Sequence, residues 1–266
     1  MRKKLMVCGC SFSAPSQTLP GTSYAEVLAK KLDWDLVQLA RQGCSNGGIR
    51  LQIQEVNRQK PDFAIIAPTF HDRMEIPARN APYDFRDDDY KGPGSDLQKH
   101  LQNLAFENGY IPELGIGNVN YNNQPYTLIC ETIFSLAENY SHPYRSRKLD
   151  KETQQAVKQY VNHLYDSNWK LQMDTWIMRD GIVQAYLAGI NFIVLPDNLW
   201  AADTVREIIP DIVPDKFLIT DNEKLPQHAT WVHPFKGEDP GYHGAPESQQ
   251  MLADIYYDII TNWDQT

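Results

Sequence analysis

The feature that most restricts how this chain can fold is a repeated change of hydrophobic period within its first 70 residues. Residues 4–9 form a short apolar run of strand length. Ser23, with Glu26 three residues on, makes a capping box that opens a helix carrying Tyr24, Val27, Leu28 and Leu32 on one face. Residues 35–39 are again strand-like. Gly47 and Gly48 open a second helix bearing Ile49, Ile53 and Val56, Pro61 closes its exit, and residues 63–67 supply a third apolar strand. Strand–helix–strand–helix–strand at this spacing implies parallel strands joined by right-handed crossovers. Their near-continuous apolar character fits a sheet covered on both faces. In such sheets ligands lie beyond the carboxyl ends of the strands, near a topological switch point. The residues just after Gly9, Leu39 and Ala67 are therefore the first place to look for chemistry.

The pattern degrades over residues 70–150, which hold the acidic run Asp87-Asp88-Asp89, the turn Gly92-Pro93-Gly94 and an Asn/Gly-rich stretch at 115–123. A structureless loop of that length does not suit a compact domain. The expectation is an inserted cap or lid, largely helical, with short helices at 96–106 and 127–139. Tyr83, Phe85, Tyr90 and Tyr126 would wall a cleft or form the insertion's small core. Regular periodicity returns at 152–166 and 170–188, leads through Gly189 into a strand at 191–195, and is followed by a last short strand at 217–219. A helix starting near Pro246 carries Met251, Leu252, Ile255, Tyr256, Ile259, Ile260 and Trp263; proline suits its first turn, where no N–H is needed. The chain is expected to be one domain over 1–266 with the insertion at about 70–150.

Composition narrows the partners. A formal net charge of -9 argues against tight binding to nucleic acid or an anionic membrane, which needs clustered Lys and Arg, although it leaves a local basic patch open. Cys8, Cys10, Cys44 and Cys130 are too few for a disulfide framework, and Cys8-Gly9-Cys10 has no second pair at zinc spacing, so reduced packing thiols and no metal are expected. The apolar run after the basic start is shorter than a signal peptide needs, and no stretch reaches the roughly 20 apolar residues that cross a bilayer. A cytoplasmic protein, or one released without a cleaved signal, is expected.

Four loops carry the candidate chemistry. Gly9-Cys10-Ser11-Phe12-Ser13 follows the first strand, where a serine hydroxyl can project from the top of the sheet beside converging backbone N–H groups. Gly43-Cys44-Ser45-Asn46-Gly47-Gly48 opens a helix whose N–H groups can face a developing anion. Thr69-Phe70-His71-Asp72-Arg73 follows the third strand, and Asp239-Pro240-Gly241-Tyr242-His243-Gly244 precedes the helix from Pro246. The acidic run at 87–89 lacks the alternating ligands of a calcium loop and reads as a solvated loop.

These blocks resemble the SGNH (GDSL-type) hydrolase superfamily. Gly9-Cys10-Ser11-Phe12-Ser13 is similar to its Gly-Asp-Ser-x-Ser block, with Cys10 in place of the aspartate; Gly43 looks like the second-block glycine; His243-Gly244-Ala245-Pro246-Glu247-Ser248 resembles the last block. The resemblance implies Ser11 as nucleophile, His243 as general base, and the N–H groups of Ser11 and Gly43 as oxyanion donors. Two departures follow. The third-block asparagine is absent, and Thr69, then His71, then Asn46 are its substitutes. The family aspartate stands three residues before its histidine, whereas Asp239 stands four before His243; Glu238 is its rival, and a serine–histidine dyad is a further option. His233 is the rival base. His71, Arg73, Asn46 and Cys10 are possible neighbours of the site. Pattern and resemblance together give an α/β, flavodoxin-like three-layer α/β/α fold with a central parallel sheet of about five strands. They imply a serine esterase or carbohydrate deacetylase, without cofactor or metal, acting on a small-molecule, carbohydrate or lipid ester. Acyl transfer to a sugar, or a non-catalytic binding module on the same fold, are the alternatives.

Overall fold

The computed structural model describes residues 2–10, 12–15, 20–40, 44–71, 73–78, 110–111, 116–117, 119–121, 124–132, 151–195, 212–217 and 246–265. In chain order they form β1 (Lys4–Cys8), α1 (Tyr24–Leu32), β2 (Asp35–Gln38), α2 (Asn46–Gln59), β3 (Phe63–Ile66), β4 (Arg73–Ala78), β5 (Tyr110–Ile111), β6 (Ile116–Gly117), β7 (Val119–Tyr121), β8 (Gln124–Thr132), α3 (Lys151–His163), α4 (Ser167–Leu187), β9 (Phe192–Val194) and α5 (Pro246–Thr261), with 3₁₀ turns at Asp215–Phe217 and Trp263–Gln265.

The helix starts follow their local chemistry. The Ser23 hydroxyl accepts from Glu26 N–H at 3.4 Å while the Glu26 carboxylate accepts from Ser23 N–H at 3.2 Å, the expected capping box. Ser45 caps α2 by accepting from Gly48 N–H at 3.2 Å. Lys60 ends α2 in the left-handed region (φ 48°), and Pro61 prevents its extension. The free N–H of Tyr24, first residue of α1, is accepted by the Gln249 side chain of α5 at 2.8 Å.

β1, β2, β3 and β9 form a parallel sheet in the order β2-β1-β3-β9. Met6 lies beside Val37 on one side and Ala64 on the other, and Ile65 lies beside Ile193. The chain steps from β1 to β2 in one direction and then back across β1 to β3, so right-handed crossovers put α1 and α2 on opposite faces. α5 packs along α1, with Tyr24 and Tyr256 edge to face at 5.3 Å, and α4 packs along α2. At the surface Arg50 donates to Asp180 and Gln184, tying α2 to α4, and Lys31 pairs with Asp254, tying α1 to α5. That hydrogen bond from Lys31 holds the Asp254 carboxyl below its ordinary range. Leu5, Met6, Val7, Cys8, Ala64, Ile65, Ile66, Phe192, Ile193 and Val194 are all fully buried, as a sheet covered on both faces requires. Among the described residues, no helix is long and apolar enough to cross a membrane.

Three local expectations are corrected. The described residues supply four parallel strands to the central sheet rather than about five. Residues 127–132 are part of β8, not a helix: Tyr126, Leu128 and Cys130 alternate with polar or β-branched neighbours, a period of two that suits pairing with β4. The other described residues between 73 and 132 are strands too, in the order β4-β8-β7 plus the pair β5-β6, whereas a largely helical insertion was expected; residues 133–139 lie outside the described residues. Residues 96–106 lie outside the described residues. Of the strand expected at 217–219, Phe217 instead ends a 3₁₀ turn, in which its N–H bonds back to Pro214 C=O at 3.0 Å, and residues 218–219 lie outside the described residues. Phe217 turns inward against Phe192 (4.8 Å), Tyr186 (5.4 Å) and Trp263 (5.2 Å), and this aromatic packing defines the segment.

Candidate functional site

The switch point of the sheet lies between β1 and β3, because β2 and β3 leave β1 on opposite sides. The last ladder bond there runs from Ala67 N–H to Cys8 C=O at 3.0 Å. Beyond it the two chains part, and the loops at 9–15 and 67–71 begin. In the first, Ser13 and Ala14 N–H both bond to Cys10 C=O, at 3.1 and 3.0 Å, closing a turn directly after the strand. Ser13 is fully buried, accepts from the Tyr24 hydroxyl at 2.8 Å, and its carbonyl accepts from Gln38 Nε2 at 2.7 Å. The second serine of the Gly-x-Ser-x-Ser run is thus a packing residue.

Gly9 is fixed by the same turn. A Cβ placed there would lie 2.8 Å from Ser13 Oγ, 2.9 Å from Ser13 Cβ and 3.1 Å from Ala67 Cβ. Gly9→Ala should destabilise the protein by about 1–3 kcal/mol, the usual cost of overpacking. Urea unfolding that shows a lower midpoint at unchanged slope would bear this out; a loss below about 0.5 kcal/mol would mean that the turn yields.

Two side-chain amides of α2 replace the missing ladder partners. Gln52 accepts from Gly9 N–H at 2.7 Å and donates to Gly9 C=O at 3.3 Å, its Nε2 also lying 3.3 Å from Cys44 Sγ. Asn46 accepts from Thr69 N–H at 2.8 Å and donates to Thr69 C=O at 2.9 Å. The Asn46 Nδ2 donates in addition to Asp174 Oδ2 at 2.9 Å, and Asp174 pairs with Lys170 one helical turn before it in α4. Asn46 and Asp174 are buried, Asp174 completely.

With its backbone N–H and C=O both held by Asn46, Thr69 has one polar atom left, the hydroxyl. Thr69 is 3% exposed, and its Oγ1 has no partner among the described residues. A buried hydroxyl in that condition costs about 1–3 kcal/mol and calls for an explanation. Both N–H groups of the Asn46 amide are engaged, so Asn46 has none to offer a substrate oxygen in this arrangement.

His71 stands half-buried two residues after Thr69. Arg73, first residue of β4, is buried and donates to Cys44 C=O at 2.7 Å, with its guanidinium 6.0 Å from the Phe70 ring centre. Phe70 and Phe12 meet at 6.4 Å, joining the two loops. Cys8, Cys10 and Cys44 are thiols outside any disulfide with no solvent exposure, and burial, aided by the Glu55 charge, pushes the Cys8 thiol up. Among the described residues no group of three or more His, Cys, Asp or Glu could hold a metal ion. Ser11, Gly43, Asp239 and His243, with the rivals Glu238 and His233, lie outside the described residues.

Gln52 and Asp174 were not anticipated from the sequence, although each interrupts an apolar stripe. Gln52 stands between Ile49, Ile53 and Val56 on α2, and Asp174 begins the buried row Asp174, Met178, Ile182 and Ala185 on α4. A polar residue at such a position needs a buried partner.

No family model and no curated protein matches the chain. Among solved structures it is similar to a protein from Desulfitobacterium hafniense DCB-2 that carries the provisional name of a G-D-S-L family lipolytic protein. The two share 12% sequence identity at a TM-score of 0.31, over 97% of this chain and 99% of that one. At that distance the likeness carries no argument about chemistry.

Proposed function

We propose that the chain is a serine-dependent ester hydrolase with Ser11 as nucleophile, His243 as general base and Asp239 orienting the imidazole. The observation that supports the reading best is the Thr69 hydroxyl. It is buried, without a partner among the described residues, and follows β3, the strand beside the one that leads to Ser11. This is where a third oxyanion donor would be useful.

In the proposed reaction Ser11 Oγ attacks the ester carbonyl as His243 takes its proton. The oxyanion is held by the N–H groups of Ser11 and Gly43 and by Thr69 O–H. Collapse of the tetrahedral intermediate breaks the bond to the alkoxy oxygen, which leaves with the proton from His243. Water then attacks the acyl-serine, with His243 again as base, and frees the acid and Ser11. Neither metal nor organic cofactor enters this scheme, and small-molecule, carbohydrate or lipid esters are the proposed substrates. Phe12 and Phe70, whose rings meet at 6.4 Å, are the proposed apolar flank of the substrate.

The test is hydrolysis of 4-nitrophenyl acetate together with labelling by a serine-reactive fluorophosphonate. Both are expected to succeed. Thr69→Val, which keeps shape and removes the hydroxyl, should lower kcat by about 10²–10³ with little change in KM, while Thr69→Ser should retain most of it. Failure of both hydrolysis and labelling would favour a non-catalytic binding module, and an unimpaired Thr69→Val would remove Thr69 from the oxyanion site.

A further inference from the structure

Beyond the strand ladder, α2 is the one rigid element that touches both site loops through paired backbone contacts among the described residues. Gln52 grips Gly9, two residues before Ser11, and Asn46 grips Thr69. Six residues separate the two amides on α2, which corresponds to about 9 Å along the helix. The helix thereby sets the position of one loop against the other.

The Asn46 grip has a defined polarity. Its amide can hold Thr69 only with oxygen toward the Thr69 N–H and nitrogen toward the Thr69 carbonyl. Flipping the amide would set its single oxygen against both the Thr69 carbonyl and the Asp174 carboxylate, neither of which can donate, and its NH2 against the Thr69 N–H. Asp174 therefore does more than fill a polar gap: together with Lys170 it selects the amide orientation that fits Thr69. Its place in α4, more than 100 residues downstream, links this part of the site to a helix outside the first strand–helix repeats. A charge is costly to bury, and locking a single amide orientation gives this one a use.

We propose that Asn46 is a positioning residue for the ester-hydrolysis site, acting through Thr69, and that Asp174 holds Asn46 in the orientation this needs. The proposal rests on the hydrolase reading above, since it concerns where the Thr69 hydroxyl points. A displacement of about 1 Å at such a donor costs about 10²-fold in rate.

The experiment is a double-mutant cycle on the full chain, measuring kcat and KM for 4-nitrophenyl acetate and urea stability for each variant. Asn46→Ala alone should lower kcat by about 10²-fold with KM within about twofold. Introduced into Thr69→Val it should lower kcat by no more than about twofold further, because the hydroxyl it positions is gone. Asp174→Asn, which keeps the volume and leaves Asn46 in place, should show the same pattern with a smaller first step, and it serves if Asn46→Ala does not fold. Losses that multiply in the Thr69→Val background, or a rise in KM without a fall in kcat, would overturn the positioning role while leaving the hydrolase reading intact. A folded wild-type protein with neither turnover nor fluorophosphonate labelling would overturn both.

Discussion

Ser11→Ala should reduce hydrolysis of 4-nitrophenyl acetate by about 10⁴–10⁶-fold in kcat, with fluorophosphonate labelling abolished. Without Oγ no acyl-serine can form, and what remains is whatever acceleration the oxyanion donors and binding give to direct attack by water. KM should change little, because the hydroxyl contributes to the transition state far more than to binding. The natural control is Ser13→Ala. That serine is buried against Tyr24, with a hydroxyl–hydroxyl distance of 2.8 Å, so its loss should lower stability by about 1 kcal/mol and leave labelling intact. Unchanged turnover in Ser11→Ala would remove the nucleophile assignment. The reverse outcome, labelling lost with Ser13→Ala alone, would move the chemistry to the serine that packing now explains.

The largest structural effect is expected at Trp263. Its ring meets Phe63 edge-on at 4.9 Å and Phe217 at 5.2 Å, and its Nε1 donates to Asn191 Oδ1 at 3.1 Å. Phe63 opens β3 and Asn191 precedes β9, so this one side chain closes the amino ends of two neighbouring strands and anchors the Asp215–Phe217 turn through Phe217. Truncating a large buried aromatic costs about 3–5 kcal/mol, and here the indole's hydrogen-bond partner is lost as well. Trp263→Ala should therefore unfold at clearly lower urea concentration, while its kcat in the folded state stays near wild type, because the cluster lies at the end of the sheet opposite the candidate site. A loss below about 1 kcal/mol would mean that neighbouring rings close the gap.

How much of this could be read from sequence depends on whether the signal is local. The capping box at Ser23 and Glu26 is contained in four residues and appears as expected. So do the three parallel strands β1, β2 and β3, which follow from three apolar runs with a helix between each pair; their order, which puts the switch between β1 and β3, is not contained in those runs. Asp174 was hidden because its reason for being buried, the Asn46 amide, lies 128 residues away in sequence. Gln52 stands on a helix face whose sequence signal is dominated by Ile49, Ile53 and Val56. Asn46, third among the substitutes for the missing oxyanion asparagine, has its two N–H groups turned to Thr69 and Asp174. In the insertion the spacing of Tyr126, Leu128 and Cys130 has a strand period, but it is seen only once β4 is known to lie alongside. Ser11, Gly43, Asp239 and His243 remain proposals drawn from motif and loop position.

The bond from Tyr24 N–H to Gln249 also bears on how the chain is made. β1, β2 and β3 are complete by residue 66, yet the start of α1 waits for an acceptor 225 residues later, and the face of the sheet that α5 covers waits with it. At roughly 5–20 residues per second, a ribosome takes roughly 11 to 45 seconds to cross that interval. Over that time the nascent chain would display a half-covered parallel sheet, the kind of surface that chaperones hold. Refolding of the finished chain, with both partners present at once, should avoid this delay.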